Sequence, residues 1–362
     1  MTVRAAVFLG NGTHEVREFA DPEPPPGGAV LQVEAVGLCG SDLAQYHGGV
    51  GVPGEKFPVV PGHETVGRIA RITPEAAAAW GLAEGDRVCV DEILRCGECP
   101  ACRRGSPDCA AMQVYGYTLA ADDGPGLWGG YGEQMTLRSR TNLHRVPEGI
   151  AAEELTMFEP LANAVHWVQR AGVQLGDTVV IQGPGHQGLA CLMAARAVGA
   201  GQVIVTGTSG DTLRFAAARA LGADAVVDVE NEDPIQRVAE LTNGAMADVV
   251  MDVAAVATST IPLAVMLARN YGRVLLAGLK HFAPVENFIS DLVVFKQLTL
   301  VGGAGYTPGS MAAAVELLAS DRVDRSVLVG DVVTLDDLDR GLALLARAVP
   351  DHDAVHVSLR MG

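Results

Sequence analysis

Basic residues are scarce in this chain. Its 362 residues include 26 Lys and Arg against 43 Asp and Glu, a net charge of -17. Phosphate backbones and anionic bilayers are bound through clustered cations, so this balance excludes nucleic acid and membrane surfaces as expected partners. There is also no run of roughly 18 apolar residues that would span a bilayer. No signal-peptide core with a cleavage site follows the first residues, where a short strand-like run ends at Gly10-Asn11-Gly12. A soluble, cytoplasmic protein is expected. Internal repeats and low-complexity tracts are missing as well. Cysteine is present in an odd number, seven, and four fall within one short segment. In a chain without an export signal that pattern argues for metal binding and against a disulfide framework.

Apolar residues make up 49% of the chain, enough for large cores. The length exceeds what one core usually supports, so two domains are expected. The first part is rich in Gly, Pro and short β-like runs: Val30 to Val36, Thr65 to Ile72, Asp86 to Asp91 and Glu133 to Leu137. Near Leu155 the pattern changes to alternating strands and helices. These begin with the strand Thr178 to Gln182, the helix Gly188 to Val198 and the strand Gln202 to Thr206, and end with the strand Gly272 to Ala277. Such alternation predicts a parallel, doubly wound sheet, with Leu298 to Val301 as a further edge strand. Helices over Met311 to Ala319 and Leu335 to Ala348 and a strand over Ala354 to Leu359 follow. This tail is too short to fold alone and is expected to return to the first domain. The expected boundaries are 1–154 with 299–362 for the β-rich domain and 155–298 for the doubly wound one.

Three groups of residues carry chemistry. The first is Cys96-x2-Cys99-x2-Cys102-x6-Cys109. Thiolates so spaced on a tight loop can face one tetrahedral centre, and four of them leave no open position, so a structural zinc is expected. A zinc ribbon on nucleic acid is disfavoured by the net charge. The second group is Cys39, His63 and the carboxylates Glu64 and Glu159. Three protein ligands plus an exchangeable water is the arrangement of catalytic zinc. Pro61-Gly62 presents His63 and Glu64 side by side, and Asp42 is placed to orient His63. Either Glu64 or Glu159 can supply the third ligand. The third group is Gly183-Pro184-Gly185-His186-Gln187-Gly188, between the strand Thr178 to Gln182 and an apolar helix. In that context the glycines allow a tight turn, close approach of a pyrophosphate and close helix–strand packing. A metal Lewis acid beside a hydride acceptor points to alcohol–carbonyl redox chemistry. Cys89 and Cys191 read as core residues, and Tyr46, Tyr115 and Trp128 as candidate pocket aromatics.

These motifs, with Gly85-Asp86-Arg87-Val88, Gly129-Gly130-Tyr131-Gly132-Glu133 and Glu159-Pro160-Leu161, occur in an order that resembles the zinc-dependent medium-chain dehydrogenases. That family includes alcohol, sorbitol and threonine dehydrogenases. The resemblance covers essentially the whole chain. It implies an α/β fold in which a GroES-like catalytic domain is split by a Rossmann domain. It also implies two zinc ions per subunit, one catalytic and one structural, and NAD(P) as the hydride carrier. A homodimer or homotetramer acting on a secondary alcohol or polyol is further implied. In this reading Ser41 passes the alcohol proton toward solvent, and the cofactor set comprises Gly183, Gly185, His186, Gln187, Gly188, Gly207, Thr208, Ser209, Arg214 and Gly278. Three places depart from the family pattern. The Cys102 to Cys109 spacing is one residue short. Ala44 stands where many members carry a relay histidine, so His47 is the substitute candidate. Gly207 stands where NAD-specific members end the second strand with an Asp. Thr208, Ser209 and Arg214 then favour a 2′-phosphate and hence NADP, against which Asp211 pulls toward NAD. Two other readings are a metal-free quinone or enone reductase, expected to lack Cys39, His63 and the four-cysteine cluster, and a non-catalytic nucleotide-binding protein.

Overall fold

The computed structural model describes residues 2–49 and 51–362. The chain folds as two units. One holds the residues up to Glu159 together with Leu328–Gly362, the other Pro160–Val327.

The first unit is built on the strand Ala29–Leu38, whose apolar residues Val30, Leu31, Val33, Val36 and Leu38 are all buried. It pairs antiparallel with Glu64–Ile72, Gln134–Leu137 and Val357–Arg360 in a seven-stranded sheet. Arg87–Val90 and Leu143–Arg145 extend the sheet on one side and Asp331–Val333 on the other. Two register shifts along Ala29–Leu38, at Val30/Leu31 and Val33/Ala35, bend the strand. The resulting register sets Gly37 opposite Glu64 on one neighbour and Ser358 on the other.

The second unit carries a six-stranded, all-parallel sheet of Thr178–Gln182, Gln202–Gly207, Ala225–Asp228, Ala247–Asp252, Ala268–Leu276 and Thr299–Gly302. In space their order is third, second, first, fourth, fifth, sixth. Strand direction of build reverses between the first and fourth strands, the crevice in which open α/β sheets take their ligands. The central strands are continuous apolar runs, Val179-Val180-Ile181 and Val203-Ile204-Val205, buried as parallel strands require.

The tail divides differently from the sequence expectation. Thr299–Gly302 pairs in parallel with Ala268–Leu276, and the helix Pro308–Ala319 stays in the second unit. The return to the first unit begins only at Leu328. Four residues on a sheet edge gain a full row of backbone hydrogen bonds where they stand, which no periodicity reports. The last long helix is also shorter than expected, Leu338–Leu345, because Leu335–Asp337 forms a tighter 3-10 turn before it.

Candidate metal centres and dinucleotide turn

The strand Ala29–Leu38 stops one residue before the helix Gly40–Tyr46, which leaves Cys39 at the junction as the N-cap residue. Asp42 turns back onto that junction. Its Oδ2 accepts hydrogen bonds from the Cys39 backbone N–H and from the Tyr131 hydroxyl, both at 2.8 Å. Its Oδ1 lies 3.4 Å from Nδ1 of His63. The Tyr117 hydroxyl lies 3.3 Å from the same nitrogen and 2.8 Å from Ser41 Oγ. With Nδ1 engaged on this side, Nε2 is the His63 atom presented for ligation, the usual carboxylate–histidine arrangement behind a metal. Burial alone would discharge the His63 ring. Tyr117, Asp42 and the Cys39 sulfur outweigh it and hold its pKa well above the ordinary value. The pocket thus favours positive charge at this ring, whether carried by a proton or by a metal ion. Burial keeps the Tyr117 and Tyr131 phenols protonated, and the neighbouring Asp42 charge acts in the same direction.

Glu64 is fully buried, and its Oε2 lies 3.2 Å from Nε2 of His356. The pair meets over Gly37, where a Cβ would fall 1.8 Å from Glu64 Oε2, so only glycine admits it. His63, Glu64 and Glu159 each bring one ligand atom within 4.8 Å of the others, and so do Cys39 and Glu64. The Cys39 sulfur is in addition a hydrogen-bond partner of the His63 ring. Glu64 thus stands within ligand distance both of the Cys39 sulfur and of the His63 and Glu159 pair, and sulfur, imidazole and carboxylate together are the borderline donor set that zinc takes.

The four cysteines of the second cluster also converge, all four sulfurs lying within 4.8 Å of one another. The Cys96 and Cys102 sulfurs are 3.8 Å apart. Tetrahedral thiolates at ~2.3 Å from zinc are about that far apart. Backbone N–H groups of Cys96, Cys99 and Cys102 point at the Cys109, Cys96 and Cys99 sulfurs at 3.4, 3.3 and 3.4 Å. Hydrogen bonds from the Glu98 and Cys99 backbone pull the Cys96 thiol down to about 6, while burial and the neighbouring sulfurs push Cys102 up to about 12. Four thiolates at this spacing require a cation to ionise together. The shortened Cys102 to Cys109 spacing does not prevent convergence.

In the second unit the turn after Thr178–Gln182 follows the glycine logic. Gly183 has φ of +100°, and a Cβ on Gly188 would sit 1.9 Å from the Gly183 carbonyl oxygen. Gly185, the N-cap of the helix His186–Ala197, faces open space. A helix N-terminus with room at its cap is a cradle for a pyrophosphate. Gln187 anchors the turn by donating from Nε2 to the Pro160 carbonyl at 2.9 Å, and Gly278 packs on the Ala254 carbonyl. Beyond the second strand, Asp211 does not swing outward. Its Oδ2 accepts from both the N–H and the hydroxyl of Thr208 at 2.9 Å, and its Oδ1 lies 3.6 Å from Arg214 Nη1. Ser209 donates from Oγ to Asp228 at 2.8 Å and from its backbone N–H to Glu230 at 3.0 Å. The groups offered by the sequence to a 2′-phosphate are therefore engaged with three carboxylates.

His47 sits at the end of the helix Gly40–Tyr46, exposed, with its ring against Tyr46 and the Gly12 turn. The hydroxyl partner of Ser41 is instead Tyr117. Tyr46 packs on Phe8 and His14, Tyr115 is buried with its hydroxyl on Thr141, and the Trp128 indole donates to the Asp123 carbonyl. Cys89 and Cys191 are fully buried. Tyr117, Tyr131 and His356 are the site residues that sequence reasoning missed. Tyr131 lies inside a recognised glycine motif, which was the one available signal.

Residues 25–148 match the alcohol dehydrogenase GroES-like domain family, and residues 188–320 match the zinc-binding dehydrogenase family. Together with the two-unit fold and the clustered donors, these matches define an NAD(P)-dependent oxidoreductase of the zinc type that acts on alcohols. The chain belongs to the zinc-type medium-chain dehydrogenase/reductase family. It is 39% identical, over 95% of its length and 94% of the relative's, to a protein of Mycobacterium tuberculosis H37Rv described as a probable alcohol dehydrogenase. An erythritol/L-threitol dehydrogenase of Mycolicibacterium smegmatis is 32% identical over 99% of this chain and 97% of its own. A protein of Sinorhizobium meliloti 1021 assigned as a zinc-binding dehydrogenase, solved with NADP, superposes with a TM-score of 0.86 at 26% identity over 99% of both chains.

Proposed function

We propose that the substrate is a small polyol or secondary alcohol, oxidised reversibly at a zinc held by Cys39, His63 and Glu159. The convergence of these donors with Glu64 in a buried space carries the reading, and the erythritol/L-threitol dehydrogenase relative supports the substrate class. Zinc bound there would act as a Lewis acid toward the alcohol oxygen, and NAD(P) would take the hydride. The chain's own residues do the rest. Asp42 and Tyr117 fix His63 at Nδ1. The Ser41 hydroxyl would relay the alcohol proton, accepting it while giving its own up toward solvent, and Tyr117 holds that hydroxyl in place at 2.8 Å. Glu159 would be the resting ligand of that zinc, and Glu64, tied to His356, would be the alternative carboxylate within reach of it. Accordingly, Glu159→Ala loses the catalytic zinc on dialysis, and Glu64→Ala retains it while kcat falls at least ~10-fold. Zinc analysis beside steady-state kinetics checks this, and the reverse ranking would exchange the two roles.

The same proposal assigns NAD as the preferred cofactor, in place of the NADP suggested by Gly207, Thr208, Ser209 and Arg214. Asp211, Asp228 and Glu230 surround the loop and use its donors, and a 2′-phosphate brought among them meets like charge. The expected kcat/KM ratio favours NAD by at least ~10-fold, about 1.4 kcal/mol. The double variant Asp228→Asn/Glu230→Gln moves the ratio toward NADP. A wild-type preference for NADP would overturn the assignment.

A homo-oligomer fits the second unit. The strand Thr299–Gly302 is a sheet edge, and the nearby segment exposes Leu279, Phe282, Ile289, Val294 and Phe295. Such an edge with apolar flanks is the kind of surface that pairs with a second copy. Sedimentation of Phe295→Lys against wild type tests it; an unchanged oligomeric mass, or a wild-type monomer, rules this face out.

A further inference from the structure

We propose that the first unit carries a second ligand site, for an organic anion, beside the four-cysteine cluster. The feature is a cavity of about 450 Å³ lined by Arg95, Arg138, Arg140, Trp128, Leu94 and Pro25, with Cys96 at its wall. Three guanidinium groups in one cavity are unexpected in a chain of net charge -17.

Their partners differ. Arg95 lies 3.1 Å from Asp91, with both side chains buried, and Arg140 lies 3.7 Å from Glu98 at an exposed rim. Arg138 has no carboxylate within ion-pair distance among the described residues. Its guanidinium stands 4.9 Å over the Trp128 ring and donates from Nη1 to the amide oxygen of Gln113 at 2.7 Å. A guanidinium stacked on an indole and pinned at one nitrogen is pre-organised, and its remaining N–H groups lie in a fork that matches a carboxylate or phosphate. The Trp128 indole is itself immobilised by its hydrogen bond to the Asp123 carbonyl. Leu94, Pro25 and the ring of Trp128 give the cavity an apolar floor, and its volume falls in the range of small-molecule sites. The ligand class is thus a carboxylate or phosphate monoester bearing a ring-sized apolar body. The competing explanation is that Arg138 only balances the charge of the adjacent thiolates.

Calorimetric titration of the zinc-loaded protein at constant ionic strength tests the site, with benzoate and phenyl phosphate as probes and chloride as the control. Saturable binding of at least one probe is expected, weakened at least ~10-fold in Arg138→Gln and in Arg140→Gln, with zinc content and kcat/KM for the alcohol unchanged. Which probe binds more tightly distinguishes a carboxylate site from a phosphate-ester site. Absence of saturable binding by both probes overturns the proposal. So does equal binding in wild type and Arg138→Gln, or a loss of zinc from Arg138→Gln in a protein that binds neither probe.

Discussion

The wild type is expected to bind two zinc ions per chain and Cys39→Ser only one, with a loss of at least ~10³-fold in kcat/KM. Serine keeps the size of the side chain but not the thiolate that joins His63 and the glutamates. A bound metal contributes several kcal/mol of stabilisation to charge developing on the alcohol oxygen, and each ~1.4 kcal/mol is a factor of ten in rate. The junction itself should survive, because Asp42 holds the Cys39 backbone N–H and Tyr131 holds Asp42. The thermal midpoint is therefore expected to move little compared with the activity. Metal analysis of protein purified without chelator, read beside turnover, decides it. Two zinc ions in the variant, or one in the wild type, would remove Cys39 from the catalytic set.

The second large effect is expected at Cys102, and it falls on stability. Between Arg95 and Met112 only Ala101 and Cys109 are buried apolar residues. The local secondary structure is a one-turn helix, Pro100–Arg103, closed by a two-stranded ribbon of Ile93–Leu94 and Gln113–Val114. A segment with so little apolar burial gains little from a core of its own, so a metal cross-link through the four cysteines is expected to hold it. Structural zinc contributes about 10 kcal/mol or more in isolated peptides, and less in a domain with its own core. We expect Cys102→Ser to bind only one zinc, to open to proteolysis around Arg103 and Arg104, and to lower the thermal midpoint by roughly 5–10 °C for a loss of about 3 kcal/mol. Turnover per remaining catalytic zinc should stay within about threefold of wild type. A variant with an unchanged midpoint and abolished turnover would assign this cluster to catalysis instead.

Whatever depends on neighbours along the chain could be read before any fold was known. The x2 spacing of Cys96, Cys99 and Cys102, the Gly183–Gly188 turn after its apolar strand, and the helix after that turn, expected at Gly188 to Val198 and found at His186–Ala197, are local events. Steric and hydrogen-bond rules act there over a few residues. The candidate donors Cys39, His63, Glu64 and Glu159 were legible as residue types, although Glu64 opens a strand and Glu159 lies in the first turn of the helix Phe158–Arg170. Tertiary structure decided how they are held. His356 reaches Glu64 across 292 positions, Tyr131 reaches Asp42 across 89 and Tyr117 reaches Ser41 across 76. Those meetings depend on strand register, which sets Gly37 between Glu64 and Ser358 and leaves space for a buried carboxylate–imidazole pair. The cofactor loop differs for the same reason. Thr208, Ser209 and Arg214 read as available donors in the sequence, but Asp228 and Glu230, from the next strand and its turn, take both donors of Ser209, and Asp211 takes those of Thr208 and faces Arg214. Register and long-range pairing are collective outcomes of burying the whole core, and no short window of residues contains them.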